Sequence, residues 1–330
     1  MKLSTEQIKS VTMGAARVKE SDGKVEFFRF TEAQEALYLR ESPHDFYKKT
    51  FTSAGIRLEF ETDSSWIDLS MEVGAVSSNG FFGYDIYADG IFVGQLGGKL
   101  GADPLIQVFG HFDLGDGKKK VAIYFPWNAT SRLVALELEE DATLSPVVKD
   151  VHMLIFGDSI TQGYTTLEPA KSYASILTDK LNAEARNKGI GGEFFRGELA
   201  STKDEDIHPD IITVAYGTND WSKQTKKDFH ASTKAFYENL SAAYPDAKIF
   251  AITPIWRTNY EDQTKAVGNF FHVEEYIKEV TAPLPNVTVI PGFDLVPHDI
   301  TLYWDYYLHP NKEGFVIYAE NLYREISKHL

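Results

Sequence analysis

Apolar residues recur at every second position through much of the first 148 residues of this chain, and at helical spacing between short apolar runs after that. In the first part Ile56, Leu58 and Phe60 alternate with polar neighbours, as do Ile67, Leu69, Met71 and Val73, and then Val134, Leu136 and Leu138. A period of two puts alternate side chains on opposite faces of a strand, so these runs predict half-buried strands. Asp89-Gly90 separates Tyr84–Tyr87 from Ile91–Val93, and Asp116-Gly117 precedes Lys120–Phe125; both dipeptides tolerate the positive φ of a tight reversal and are hairpin signals. No long helical pattern occurs between residues 50 and 140. Residues 1–148 are therefore expected to form an all-β antiparallel sandwich of jelly-roll type.

The acidic, proline-bearing stretch Glu139–Pro146 marks the expected boundary, and residues 149–330 follow a different grammar. Strand-like runs at 151–156, 211–216, 248–253 and 287–290 alternate with helical faces. These faces carry Tyr173, Ile176, Leu177 and Leu181; Phe229, Phe236 and Leu240; Val267, Phe270, Phe271 and Ile277; and Phe315, Tyr318, Ala319, Leu322 and Ile326. Such alternation predicts a second, α/β domain with a parallel sheet covered by helices on both faces.

Charge and composition narrow the partners. A net charge of −15 disfavours nucleic acid and anionic membranes, which most of the surface would repel, and more easily accommodates a neutral small-molecule substrate. The absence of cysteine removes disulfides, thiolate chemistry and cysteine-based zinc sites together. No run has the length of a signal peptide or of the roughly 18 apolar residues a membrane helix needs. A cytoplasmic location is the expectation, with secretion by a removed signal as the other reading. The oligomeric state is not legible.

Candidate chemistry lies just after the predicted strands, where open α/β sheets place their ligands. Phe156-Gly157-Asp158-Ser159 ends the first of these strands, and a serine on that strand-to-helix turn has its N–H at the positive end of a helix dipole. Gly192, in Gly189-Ile190-Gly191-Gly192, lets a backbone N–H approach a ligand closely. Asn219, in Gly217-Thr218-Asn219-Asp220, follows another strand. A serine hydroxyl needs a base of near-neutral pKa, and His309, in the loop Asp305-Tyr306-Tyr307-Leu308-His309, has the best context of the nine histidines. Gly189–Gly192 lacks the lysine and hydroxyl residue of a phosphate loop, and no metal-ligand spacing occurs, so neither a cofactor nor a metal is expected.

In order and spacing these blocks resemble the GDSL or SGNH hydrolase family, over nearly all of residues 151–330. The resemblance implies a three-layer, flavodoxin-like fold, with Ser159 as nucleophile and His309 as base. It also implies an oxyanion hole built from the N–H groups of Ser159 and Gly192 and the side-chain amide of Asn219. One position departs from the pattern. The family's aspartate stands three residues before the histidine, where this chain has Tyr306, and Asp305 lies one residue earlier. Either a local bulge returns Asp305 to the imidazole or a backbone carbonyl orients His309 in a Ser-His dyad; both remain open. A β-sandwich ahead of such a domain resembles carbohydrate esterase family two. That implies a serine esterase removing acetyl groups from carbohydrate, with Trp304, Tyr306, Tyr307 and Trp221 as candidate sugar contacts. An acyltransferase or thioesterase using the same serine is the alternative, and a non-catalytic carbohydrate-binding protein a more distant one.

Overall fold

A computed structural model describes residues 1–75, 80–99 and 105–330. The first part is a sandwich of two antiparallel sheets. One runs in the order β1 (Thr12–Met13), β4 (Arg57–Thr62), β9 (Lys119–Tyr124), β6 (Phe81–Ala88) and β7 (Ile91–Lys99), with β11 (Ser145–Pro146) also on β4. The other runs β2 (Arg17–Ser21), β3 (Lys24–Phe28), β10 (Ala129–Glu137), β5 (Trp66–Ala75) and β8 (Leu105–Asp113). From β4 onward the chain passes repeatedly between the two sheets, as in a jelly roll. The alternating apolar residues of β4 and β5 fill the space between them: Leu58, Phe60, Ile67, Leu69, Met71 and Val73 are all buried in one cluster.

Three local expectations change. Asp89-Gly90 does form the β6–β7 hairpin, with φ of 49° and 78° at its two residues. Asp116-Gly117 does not join a hairpin, because β8 pairs with β5 while β9 pairs with β4 and β6 in the opposite sheet. A turn dipeptide specifies a reversal, not the sheet that receives the next strand. In β10 the register slips between Leu133 and Ala135, so Val134 is the extra residue of a bulge and Leu133 takes the inward place. The third change concerns β4, expected to be half-buried. Its polar face is buried too, with Arg57 and Glu59 only 4% and 2% exposed, because that face packs on the second part of the chain.

The second part holds a five-stranded parallel sheet in the order β13 (Ala183–Asn187), β12 (Val151–Gly157), β14 (Ile211–Ala215), β15 (Lys248–Ile252) and β16 (Val287–Ile290). Helices cover both faces, and each face has its own apolar cluster. On one face lie α5 (Tyr173–Lys180) and α10 (Lys312–Ser327), whose Phe315, Tyr318, Ala319, Leu322 and Ile326 are buried as their spacing predicts. On the other lie α6 (Gly197–Ser201), α8 (Lys226–Ala243) and α9 (Phe271–Thr281). Strand β13 has no counterpart in the expected set.

The apolar clusters do not divide at residue 148. After α1 (Thr5–Val11), the helices α2 (Glu32–Glu41) and α3 (Phe46–Thr50) leave the sandwich, and Phe30, Leu37, Tyr38 and Phe46 join the cluster around α8. A capping box starts α2: the Thr31 side chain accepts from the Gln34 N–H and the Gln34 side chain from the Thr31 N–H. Backbones meet closely beside β13. A Cβ on Gly14 would lie 2.3 Å from the Gly55 carbonyl oxygen, and one on Gly55 would lie 2.6 Å from Asn187 Cβ.

Candidate active site

The end of β12 is shaped for one purpose at each residue. A Cβ on Gly157 would fall 1.9 Å from Thr161 Oγ1, so only glycine lets the following helix, α4 (Ser159–Gln162), turn back over the strand. Asp158 caps that helix, its Oδ1 accepting from the Ile160 N–H at 2.9 Å. Ser159 then occupies the first helical position, 8% exposed.

Its hydroxyl lies 2.8 Å from His309 Nε2. On the far side of the imidazole, His309 Nδ1 is 2.7 Å from Asp305 Oδ2. Of the two arrangements open in the sequence, the geometry is that of a bulge with Asp305 beside the ring. Tyr306 adopts a φ of 52°, and this left-handed residue absorbs the additional position between acid and base. The loop is pinched shut where the Trp304 N–H donates to the His309 carbonyl at 2.8 Å. Asp305 Oδ1 accepts from the backbone N–H groups of Tyr307, Leu308 and His309 at 3.0, 2.8 and 3.0 Å. Partial burial pushes this carboxyl upward, but the His309 bond and the backbone donors outweigh it and hold Asp305 well below the usual carboxylate range.

The loop after β13 brings Gly192 to the same place. Ile190 N–H donates to the Gly157 carbonyl, and Gly191 N–H to Gln162 Oε1 at 2.7 Å. A Cβ on Gly191 would lie 3.6 Å from Ser159 Cβ, which measures how closely this loop passes the serine. Gly192 itself has a φ of 91°. Asn219 stands in the first turn of α7 (Thr218–Lys223), after β14. Its Nδ2 donates to the Glu193 carbonyl at 3.0 Å and reaches Asp158 Oδ2 at 3.5 Å, tying the residue after Gly192 to the residue before Ser159. Among the described residues, neither the Ser159 N–H nor the Gly192 N–H has a protein acceptor.

Buried acids stand behind this array. Burial pushes Asp158 up to about 6, against the Ile160 N–H and the nearby side chains of His309, Lys223 and Arg257. Burial also pushes Asp220 up to about 8. Among the described residues no cluster of three or more histidine, cysteine, aspartate or glutamate side chains could hold a metal ion, and no helix is long and apolar enough to cross a membrane.

Residues 155–317 match the family described as GDSL-like lipase/acylhydrolase. This stretch is a GDSL-like acylhydrolase domain. No curated protein sequence matches the chain significantly. Solved structures do. A salicylyl-acyltransferase, SsfX3, from a tetracycline biosynthetic pathway is similar at 22% identity with a TM-score of 0.83, over 96% of this chain and 94% of that one. A putative GDSL-like lipase from Bacteroides ovatus is similar at 21% identity and a TM-score of 0.79, over 99% and 97%. A family two carbohydrate esterase from Clostridium thermocellum, solved with cellohexaose, is similar at 17% identity and a TM-score of 0.68, over 96% and 98%. At these identities the likeness extends to the fold, sandwich included. The lipase/acylhydrolase match supports an enzyme that acts on acyl esters, an esterase or an acyltransferase.

The aromatic candidates separate. Trp304, Tyr306 and Tyr307 are 57%, 67% and 36% exposed beside His309, and the Tyr307 hydroxyl accepts from Arg257 Nη2 at 2.5 Å. Trp221 corrects the expectation of a sugar contact: it is fully buried, donating from Nε1 to the Gly268 carbonyl at 2.8 Å and packing on Phe270. Sequence reasoning missed Tyr164, whose ring centroid lies 4.5 Å from that of His309, backed by Trp127 of the sandwich at 5.2 Å. Its only signal is its place directly after Gly163, the left-handed cap of α4. The GDSL domain also borrows Phe46 and Lys49 from α3, which no local motif announces.

Proposed function

We propose that this protein is a serine esterase that removes acetyl or other short acyl groups from carbohydrate through an acyl-enzyme. The observation that carries the reading is the continuous line Ser159–His309–Asp305, at 2.8 and 2.7 Å, beside two free backbone donors. Ser159 Oγ attacks the acyl carbonyl while its proton passes to His309 Nε2. The oxyanion so formed takes hydrogen bonds from the N–H groups of Ser159 and Gly192 and from Asn219 Nδ2, whose 3.5 Å contact with Asp158 is the weaker of its two and the one to be exchanged. Collapse breaks the ester bond, and the leaving sugar oxygen takes the proton from His309. Water then adds to the acyl carbon, again giving a proton to His309, which returns it to Ser159 as the carboxylic acid leaves. Asp305 holds the imidazole with its proton on Nδ1 and stabilises the imidazolium without accepting that proton.

Carbohydrate as the alcohol part is supported by exposed Trp304 and Tyr306 beside the base, by the negative net charge, and by a fold shared with a family two carbohydrate esterase solved with cellohexaose. The second reading is acyl transfer to an alcohol acceptor, favoured by the fold shared with the salicylyl-acyltransferase.

Hydrolysis of p-nitrophenyl acetate and acetate release from acetylated oligosaccharides test the assignment. Ser159→Ala and His309→Ala should each remove nearly all activity; turnover at the parent rate in either would overturn it. Product analysis with added alcohols separates the two readings, since a transferase yields the new ester in preference to free acid.

A further inference from the structure

The Gly192 N–H is a donor on a loop with little stiffness of its own, Gly189-Ile190-Gly191-Gly192, and something must fix its direction. The peptide unit that carries it also carries the Gly191 carbonyl, on the opposite side of a planar, trans bond. Lys49 Nζ, from α3, donates to that carbonyl at 2.7 Å. Gripping the oxygen sets the plane, and the N–H then points away from the lysine. The cation also draws electron density toward the oxygen, which makes the N–H at the other end a better donor.

Lys49 is itself held. Asp45, one turn earlier, pairs with its Nζ at 2.6 Å, and the Phe46 ring lies beneath the ammonium at 5.4 Å. Below α3, Arg29 is fully buried with no carboxylate partner among the described residues. Its Nη1 donates to the carbonyls of Asn187 and Gly189 at 2.6 and 3.1 Å, and its Nη2 and Nε to Lys49 and Thr52 carbonyls at 3.0 and 2.7 Å. A buried cation spent on backbone carbonyls and one hydroxyl, Thr52 Oγ1 at 2.7 Å from Nη2, is a costly way to stabilise a core. What it does supply is a fixed spacing between α3 and the start of the glycine loop.

We propose that Lys49 is a positioning residue for the oxyanion hole: by holding the Gly191 carbonyl, a residue outside the GDSL domain sets the direction and strength of the Gly192 donor, with Arg29 as the anchor beneath it. The inference rests on Gly192 being an oxyanion donor, as in the proposed function.

The test uses the full chain and p-nitrophenyl acetate. Lys49 is half-buried, so Lys49→Met is expected to fold. It should lower kcat by about 10- to 100-fold, less than the roughly 100- to 1000-fold typical of deleting an oxyanion donor, with KM within twofold. Phenylboronic acid, whose tetrahedral adduct on Ser159 places an oxygen in the hole, should lose affinity by a similar factor. Lys49→Arg, which can still reach the carbonyl, should recover most of the rate. Arg132→Gln, in a sandwich ion-pair cluster with Glu26 and Glu72, serves as the control for general loss of stability and should leave kcat unchanged. The inference is overturned if Lys49→Met keeps kcat within twofold, if the loss falls on KM, as for a lysine that binds an anionic substrate, or if boronate affinity does not move. Should Ser159→Ala prove fully active, the proposed function fails first; should it be inactive while Lys49→Met is normal, only this inference fails.

Discussion

Asp305→Asn separates a working triad from a Ser-His dyad, and its size follows from the loop geometry. The native carboxylate divides its labour: Oδ1 accepts from three backbone N–H groups and Oδ2 faces His309 Nδ1. Asparagine has one acceptor oxygen. If that oxygen stays on the three N–H groups, the amide N–H faces Nδ1 and selects the tautomer with hydrogen on Nε2, which cannot accept the Ser159 proton. If the amide flips, three backbone bonds of about 1 kcal/mol each are lost and their donors meet an NH2 group. The useful tautomer therefore costs about 3 kcal/mol, a factor of roughly 100. Loss of the negative charge that stabilises the imidazolium adds a further factor on the order of 10–100, for a total kcat loss of about 1000- to 10000-fold. Initial rates with p-nitrophenyl acetate measure it. Asp305→Ala, which imposes no tautomer, should be the more active of the two variants. A parent-like rate, within about tenfold, for Asp305→Asn would refute the triad and restore the dyad.

Three further outcomes follow from other contacts. Asn219→Ala should lower kcat by about 100-fold with KM changed little, because its bond to the oxygen strengthens only as charge develops; a loss confined to KM would remove Asn219 from that role. Asp220, raised to about 8 by burial, keeps its proton when folded and loses it near pH 4 when unfolded, so stability falls as pH rises from about 4 to 8. Asp220→Asn keeps an acceptor for the Phe195 N–H and cannot ionise, so thermal melts should show it more stable than the parent at pH 8, on the order of a few kcal/mol, and nearly equal to it near pH 4. Parallel pH curves would contradict that account. Gly157→Ala places a methyl 1.9 Å from Thr161 Oγ1 and should cost about 2 kcal/mol or more in urea unfolding; an unchanged midpoint would refute the steric reading.

What the sequence discloses depends on whether the signal is local. Strands β12, β14, β15 and β16 are short apolar runs rich in β-branched residues and are visible, as is the buried face of α10. Strand β13, Ala-Glu-Ala-Arg-Asn, has no such residue; it is a strand because β12 pairs with it and because small side chains suit the close approach of Gly14 and Gly55. Ser159, Gly192, Asn219 and His309 are each marked by a motif at the end of an element, and the structure brings them together. The place of Asp305 is ambiguous in sequence because one left-handed residue, Tyr306, decides whether the acid can stand one position farther from the base, and a tyrosine gives no notice of positive φ. Trp221 cannot be sorted into core or surface by its neighbours in sequence, since its partners Gly268 and Phe270 come from a distant loop. The contribution of Lys49 is invisible for the same reason.

The narrow seam of Gly14 and Gly55 against Ala183–Asn187 has a consequence for any attempt to isolate the hydrolase. An outermost strand bares a ladder of unused amide and carbonyl groups, and such a ladder invites pairing with other copies unless something lies over it. Here the front half of the chain is that cover, fitted so closely that even a methyl group would pry it loose. A fragment beginning at residue 149 should therefore clump rather than work, and the two halves of the polypeptide are best regarded as a blade and its sheath, forged as one piece.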